Sequence, residues 1–126
     1  VNLYAYRATN PSELGRVRDP VGPDNNEALA AALSFARGSG WGAVAAWGKP
    51  TKLSKRMRED VALRGEAVAL AASDMRTRVC ALALTADGHP RHPLYLPDAA
   101  TLAPWTPPAV GRATSKSDAP NPEASP

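Results

Sequence analysis

Apolar residues in this chain occur either in short runs or at helical spacing. The two patterns alternate along the chain and predict three strands separated by two helices. Residues 1–6, 43–47 and 79–84 are short runs of strand-forming or apolar residues that end at glycine, proline or polar turns. Residues 24–38 and 52–73 place apolar side chains at helical spacing. The predicted order is therefore β-α-β-α-β.

The ends of the predicted helices carry sequence signals. Asp24 is a plausible N-cap with Glu27 three residues later, a variant of the capping box. Gly38 and Gly40 are expected to stop this helix. Gly65 weakens the middle of the second helix, so two shorter helices are an alternative there.

The predicted order implies an α/β fold with parallel strands and right-handed crossovers. The second and third strands are continuously apolar, so we expect helices on both sheet faces, in a three-layer, partial doubly wound parallel sheet. Three strands are few for such a sheet, and Val1 already lies in a predicted strand. We therefore expect a truncated domain whose upstream units are missing. Trp41 and Trp47 are expected in the core.

Composition divides the chain into a domain of residues 1–105 and a tail of residues 106–126. The tail is rich in proline, serine and alanine, which predicts disorder because it has little apolar surface to bury. The single cysteine is consistent with a reducing compartment, and we find neither a membrane-length apolar run nor a signal peptide. A cytoplasmic bacterial protein is expected.

Positive charge is concentrated around the start of the second predicted helix, although the whole chain carries only +3. Such a basic surface is typical of proteins that bind nucleic acid or another anion. The alternative is a solvated helix face with Lys55/Glu59 and Arg56/Asp60 ion pairs. The basic residues are Lys49, Lys52, Lys55, Arg56, Arg58 and Arg64.

The loops that follow the three predicted strands contain the candidate ligand-binding residues. Ligands of open parallel sheets bind at the carboxyl ends of the strands, so we expect these loops to meet at one edge. The third loop is the His-Pro loop, residues 85–93, which holds both histidines of the chain. A cationic, hydrogen-bonding site for an anionic ligand is predicted from Arg7, Lys49, His89, Arg91 and His92.

Other familiar motifs do not fit their required context. The glycine-rich segment 38–42 follows a helix and precedes a strand, the reverse of a dinucleotide-binding loop. His89 and His92 lack further metal ligands nearby beyond Asp87, because Cys80 lies inside a predicted strand. We therefore predict no metal site and no cofactor. A turn-capping role for either histidine is the structural alternative.

Four motifs in order resemble the bacterial family called domain of unknown function 1643, over about residues 1–105. Members of this family carry an upstream half with an Asn-Pro-Ser motif, and we expect this half to be missing before Val1. The tripeptide Asn10-Pro11-Ser12 of the present chain lies in its first predicted loop. The chain is also more basic after Gly48 than the family pattern. The motifs are Asn2-Leu3-Tyr4-Ala5-Tyr6-Arg7-Ala8-Thr9, Asp19-Pro20-Val21-Gly22-Pro23-Asp24-Asn25, Ala45-Ala46-Trp47-Gly48 and Asp87-Gly88-His89-Pro90-Arg91-His92-Pro93-Leu94-Tyr95.

The order of motifs is also distantly similar to the layout of the uracil-DNA glycosylase superfamily. This resemblance implies that Asn2 reads a uracil-like base and that His92, followed by Pro93, stabilises charge on the departing base. His89 is the second candidate for that role. Leu94 replaces the serine of the usual His-Pro-Ser motif, and the loop with the water-activating carboxylate would precede Val1.

The sequence thus favours a glycosylase-like or nucleotide-handling α/β domain, incomplete and inactive as this chain. It leaves open whether the chain is an enzyme. The alternatives are a non-catalytic module that binds nucleic acid or protein through the basic helix and tail, or a truncated gene product. The sequence does not predict an oligomeric state.

Overall fold

The computed structural model describes residues 1–108 and contains two helices and a small mixed sheet. Helix α1 spans Asn25–Ser39 and helix α2 spans Lys55–Asp74. Strands β1 (Ala43–Val44), β2 (Val79–Ala81) and β3 (Ala103–Pro104) form a sheet in that order. Short 3-10 helices cover Pro11–Arg16 and Pro93–Tyr95. Residues 109–126, most of the predicted tail, lie outside the described residues.

Helix α1 begins and ends close to the predicted residues, but its start is held differently. Asp24 is the N-cap residue, yet its side chain makes no capping hydrogen bond. Asn25 instead turns inward, and its amide donates to the carbonyls of Asn2 and Leu3 at 3.1 and 2.8 Å. Gly40 ends the helix in the left-handed conformation.

Helix α2 is one continuous helix through Gly65, capped at its start by the Ser54 hydroxyl, which accepts from the Met57 amide. Gly65 faces the indoles of Trp47 and Trp105. A Cβ at this position would lie 3.1 Å from Trp47 Cζ2 and 3.6 Å from Trp105 Cη2. The glycine therefore lets both rings approach the helix closely, which explains a residue that is otherwise unfavourable in mid-helix.

The prediction of a parallel β-α-β-α-β sheet is correct for its two later strands only. β1 and β2 are parallel, with Ala43 opposite Val79 and Val44 opposite Cys80. The third strand of the sheet is β3, which is antiparallel to β2. The observed order is therefore α-β-α-β-β, a mixed α/β arrangement.

The predicted strand over residues 1–6 is wrong, although the segment does pack into the domain. Leu3 and Tyr4 are buried. The carbonyl of Leu3 accepts from the side chains of Asn25 and Arg64, and the amides of Ala5 and Tyr6 donate to the irregular loop at residues 20–21. Because side chains and a loop satisfy its backbone, no neighbouring strand forms a ladder with this segment.

Two small apolar clusters make up the core, and α2 contributes to both. The first joins Leu3 and Tyr4 to Met57 and Val61 of α2. The second contains Ala45, Ala81 and Trp105 from the sheet side. Trp47 packs against both clusters, as expected of a core residue. Trp41 was expected in the core too, but its side chain is 86% exposed because it follows the end of α1 and points to solvent.

Tyr4 connects the amino-terminal segment to α2. Its hydroxyl donates to the carboxylate of Asp60, and the guanidinium of Arg64 lies 5.1 Å from the ring centroid. The Arg64 guanidinium also donates to the Leu3 carbonyl at 2.7 Å and to Asn26 at 3.2 Å. Burial raises the pKa of Tyr4 above its ordinary value, and the hydrogen bond to Asp60 raises it further.

We expect the Tyr4→Phe variant to be about 1 kcal/mol less stable at neutral pH, because Asp60 loses its phenol partner. The raised pKa stabilises the fold below the tyrosine pKa of the unfolded chain, about 10, and this contribution is lost as the pH rises above it. Urea unfolding at pH 7 and pH 11 should therefore show a difference between the two proteins that shrinks at high pH. Tyr6→Phe, at a partly exposed ring, is the control. A difference independent of pH would contradict the assignment.

Neither α1 nor α2, the two α-helices of the described part of the chain, combines the length and apolar character that a bilayer span needs.

Candidate functional site

The loops after β1 and β2 meet, as the parallel arrangement of these strands predicts. The Gly48 amide donates to the Pro90 carbonyl at 2.8 Å. The Lys49 ammonium lies 2.9 Å from the Asp87 carboxylate. Gly48 also runs close to His92, since a Cβ on the glycine would lie 3.7 Å from the His92 Cβ. The two loops therefore form one continuous wall.

The His-Pro loop is held in place by a small hairpin. Leu84 and Pro90 form an antiparallel bridge, and the Arg91 amide donates to the Ala83 carbonyl at 2.9 Å. The tip closes through Thr85, whose amide donates to the His89 carbonyl and whose hydroxyl accepts from the His89 amide. Pro90 is fully buried, so the loop is anchored between its two histidines.

A groove of about 790 Å³ opens on one side of this wall. Its sides come from the amino-terminal segment, α1, the chain from Ala43 to Leu53, and α2. Most of the lining is apolar, and three of its polar residues, Lys49, Thr51 and Lys52, belong to the loop after β1. The described lining residues include no carboxylate. The polar rim consists of Asn2, Lys49, Thr51, Lys52 and His92.

A second, smaller cleft of about 390 Å³ lies on the other side of Lys49. Lys49 borders both spaces, while Asp87 and His89 line only this cleft. The hydrogen bond from Lys49 holds the pKa of Asp87 below its usual range. Asp87 therefore stays ionised and neutralises the Lys49 ammonium, which borders both the groove and the smaller cleft. Arg58 and Glu59 of α2 complete the charged part of the cleft.

The structure separates the predicted site residues into three groups. Asn2, Lys49 and His92 line the groove, and His89 lines the smaller cleft. Arg7 and Arg91 are exposed and line neither space. The loop after residue 6 thus does not bring Arg7 to the edge where the other two loops meet, because residues 1–6 are not a strand of the sheet.

Sequence reasoning missed part of the groove lining. Tyr6 and Thr51 line the groove but belonged to no predicted functional set, whereas Lys52 was already part of the predicted basic surface. Asn25 holds the backbone at Asn2 through a hydrogen bond to its carbonyl. The run of polar residues at the start of α1 was the only sequence signal that could have indicated this contact. Arg64 was counted in the basic surface, but its contacts to Leu3, Tyr4 and Asn26 make it a structural residue.

The basic surface beside the groove carries fewer ion pairs than expected. Lys55 and Glu59 approach to 4.0 Å. The predicted Arg56/Asp60 pair is not among the salt bridges of residues 1–108, since Asp60 accepts from Tyr4 instead. Within the same residues, no three histidine, cysteine or acidic side chains come together as metal ligands.

The fold and the groove define a small α/β domain. The polar rim, which forms the cationic mouth of the groove, includes residues from the loops at the carboxyl ends of two parallel strands. A family model described as "Protein of unknown function (DUF1643)" matches residues 1–94, and the chain belongs to this family. No curated protein and no solved structure gives a significant match. The similarity in layout to the uracil-DNA glycosylase superfamily therefore stays a prediction. β3 and Trp105 lie beyond the matched residues but are part of the described fold.

Proposed function

We propose that the mouth of the groove binds the base and phosphate of a pyrimidine nucleotide. One observation carries the proposal: a mainly apolar groove has amide, imidazole and ammonium groups and no carboxylate among its described lining residues. Apolar walls with a few polar groups at one end are typical of small-molecule sites. The rim is suited to an anion, because no carboxylate is among the described lining residues of the groove and the one paired with Lys49, Asp87, lines the other cleft.

His92 is well suited to bind a carbonyl oxygen of the base. Its Nδ1 accepts a hydrogen bond from the Leu94 amide at 3.1 Å. The neutral imidazole therefore carries its proton on Nε2, which is left as a donor. A donor of this kind binds a pyrimidine carbonyl and stabilises negative charge that develops on it.

Asn2 lies on the same groove with its main chain held by Asn25. A side-chain amide offers both a donor and an acceptor, and a uracil-like edge presents the complementary carbonyl and N–H. The resemblance to uracil-DNA glycosylases assigns the same two roles to Asn2 and His92. His89, the second candidate, lies on the smaller cleft and is not part of this proposal.

Base release needs a group that activates water, and the described lining of the groove contains no carboxylate. Asp87 lines the other cleft and is paired with Lys49. We therefore propose that residues 1–108 bind the base without cleaving its bond to the sugar. Uracil released from DNA by this chain would contradict that part of the proposal.

The exposed cations near the mouth favour a nucleotide that is part of a single strand of nucleic acid. Lys52 lines the groove, and Lys55, Arg56 and Arg58 are exposed at the adjoining start of α2. A row of cations can follow successive phosphates of the strand. The proposal therefore combines the groove with the alternative drawn from the sequence, a non-catalytic module that binds nucleic acid through its basic helix.

Calorimetric titration with uridine monophosphate and with a short oligodeoxyuridine tests the proposal. Lys49→Ala should weaken binding of the mononucleotide about tenfold, equivalent to ~1.4 kcal/mol. Asp87→Asn should strengthen it, because Lys49 is released to pair with the phosphate. His92→Ala should weaken binding of uridine as well as of the phosphorylated ligand.

Lys55→Ala is the matched control, since this lysine is exposed and does not line the groove. It should leave mononucleotide binding unchanged and weaken only the oligonucleotide, with a smaller salt dependence. Equal affinity for the two ligands would indicate a free nucleotide instead of a strand. Absence of binding to both, or binding that neither Lys49→Ala nor His92→Ala changes, would overturn the proposal.

A further inference from the structure

β1 is an edge strand of the sheet that the described residues form, and Ala43–Ala46 line the groove. The amides of Ala43 and Ala45 donate to the carbonyls of Arg78 and Cys80, both at 2.8 Å. Successive residues of a strand direct their backbone groups to opposite sides, so those of Val44 and Ala46 point away from β2. Among the described residues, β2 is the only strand that pairs with β1. Val44 is 50% exposed.

The groove beside this edge has apolar walls. Leu29, Ala32 and Leu33 of α1 and Val61 and Val68 of α2 line the groove with Ala43–Ala46. A helix would satisfy its own backbone and leave the amides of Val44 and Ala46 without partners in an apolar space. An extended strand would bond to both. An extended segment in this groove would meet apolar residues of α1, α2 and the β1 region, so its own side chains should be apolar.

The charge of the rim favours an occupant that carries an acidic residue after its apolar part. Lys49 and Lys52 lie where the groove passes the carboxyl end of β1, and the described lining has no carboxylate to balance them. Asp87 offsets one of the two charges. An acidic residue on the occupant, placed where the apolar stretch ends, would pair with the other.

We propose that β1 is a docking edge for an extended segment of a partner polypeptide, which adds a strand to the sheet inside the groove. The segment is continuously apolar where it pairs with Val44 and Ala46 and acidic where it meets Lys52. Addition of a strand to an exposed edge is a general mode of peptide recognition, in which main-chain hydrogen bonds supply affinity and pockets supply specificity. The inference goes beyond nucleotide binding, because it concerns the edge of β1 and shares only the rim residue Lys52 with the proposed nucleotide site.

Titration of residues 1–126 with a labelled peptide of five β-branched apolar residues followed by two aspartates tests this inference. Proline at the central peptide position removes a main-chain donor and keeps the apolar character, so it should weaken binding about tenfold or more. Replacing the aspartates by lysines should also weaken it. Binding that survives both peptide changes would show nonspecific adsorption and overturn the inference.

Val44→Pro removes the open-edge amide while leaving the Ala43 and Ala45 amides paired with β2. It should abolish peptide binding, whereas Val44→Thr, which keeps the amide, should retain it. Near-ultraviolet circular dichroism of the core tryptophans verifies that each variant folds. If Val44→Pro alone does not fold, the double variant with the stabilising Gly38→Ala substitution takes its place. Peptide binding unaffected by Val44→Pro would overturn the inference.

Two further measurements separate the outcomes. Sedimentation at several concentrations detects a second copy on the edge, and self-association that Val44→Pro abolishes would replace the peptide proposal by a dimer. Uridine monophosphate is titrated into the same variants. Nucleotide binding without peptide binding would refute the strand inference alone, and peptide binding without nucleotide binding would refute the proposed function alone.

Discussion

Trp105→Ala should lower the free energy of unfolding by about 4 kcal/mol, as expected for the loss of a large buried aromatic side chain. Trp105 is 5% exposed and meets Trp47 edge to face, with ring centroids 5.1 Å apart and an interplanar angle of 86°. Its indole N–H donates to the Gly88 carbonyl at 3.2 Å. One side chain thus joins β3, the His-Pro loop and the core, and its removal should also loosen the groove.

Trp41→Ala is the control for this prediction, because Trp41 is 86% exposed. Its unfolding free energy should change by no more than about 0.5 kcal/mol. Thermal and urea unfolding of both variants give the comparison. No loss at Trp105 would show that the chain beyond the family match at residue 94 does not stabilise the domain. A loss of the same size at Trp41 would contradict the exposed position of that side chain.

Gly42→Ala should destabilise the protein by about 3 kcal/mol, through backbone strain and a steric clash together. Gly42 has a φ of +82°, and a Cβ there would lie 2.6 Å from the Arg78 carbonyl oxygen. That oxygen accepts the hydrogen bond from the Ala43 amide which begins the β1–β2 ladder. The clash is with backbone, so relief requires the two strands to separate.

Substitutions at two other glycines distinguish the effect of backbone strain from that of the steric clash. Gly40 has a similar φ of +76° but open space around its Cβ position, so Gly40→Ala should lose only about 1 kcal/mol. Gly38 lies inside α1 with no neighbour near that position, and Gly38→Ala should gain about 0.5–1 kcal/mol. The measurement is urea unfolding of all three variants. Equal losses at Gly40 and Gly42 would show that contact with Arg78 is unimportant.

The elements that the sequence predicted well are those with local causes. The end of α1 follows from the left-handed Gly40, and the parallel pair β1–β2 follows from apolar runs joined by a helix. Convergence of the loops at Gly48 and Pro90 is a consequence of that parallel pairing. The meeting of Lys49 with the His-Pro loop could therefore be predicted from topology.

Other features depended on contacts between distant residues. Residues 1–6 have strand-forming composition, but Asn25 and Arg64 satisfy the Leu3 carbonyl from the side. The two-residue β3 contains a proline and has no periodic pattern to find. The two histidines are three residues apart, yet His92 lines the groove and His89 lines the smaller cleft.

The sequence by itself determined the class of fold, the two helices, the parallel strand pair and the loops that carry the candidate residues, because propensity, capping and apolar period act over a few neighbouring residues. Only the tertiary structure decided which candidates share a site. It placed Asn2, Lys49 and His92 on one groove, left Arg7 and Arg91 outside it, and paired Lys49 with Asp87. Those outcomes depend on how separate segments satisfy each other's backbone groups and charges when they pack.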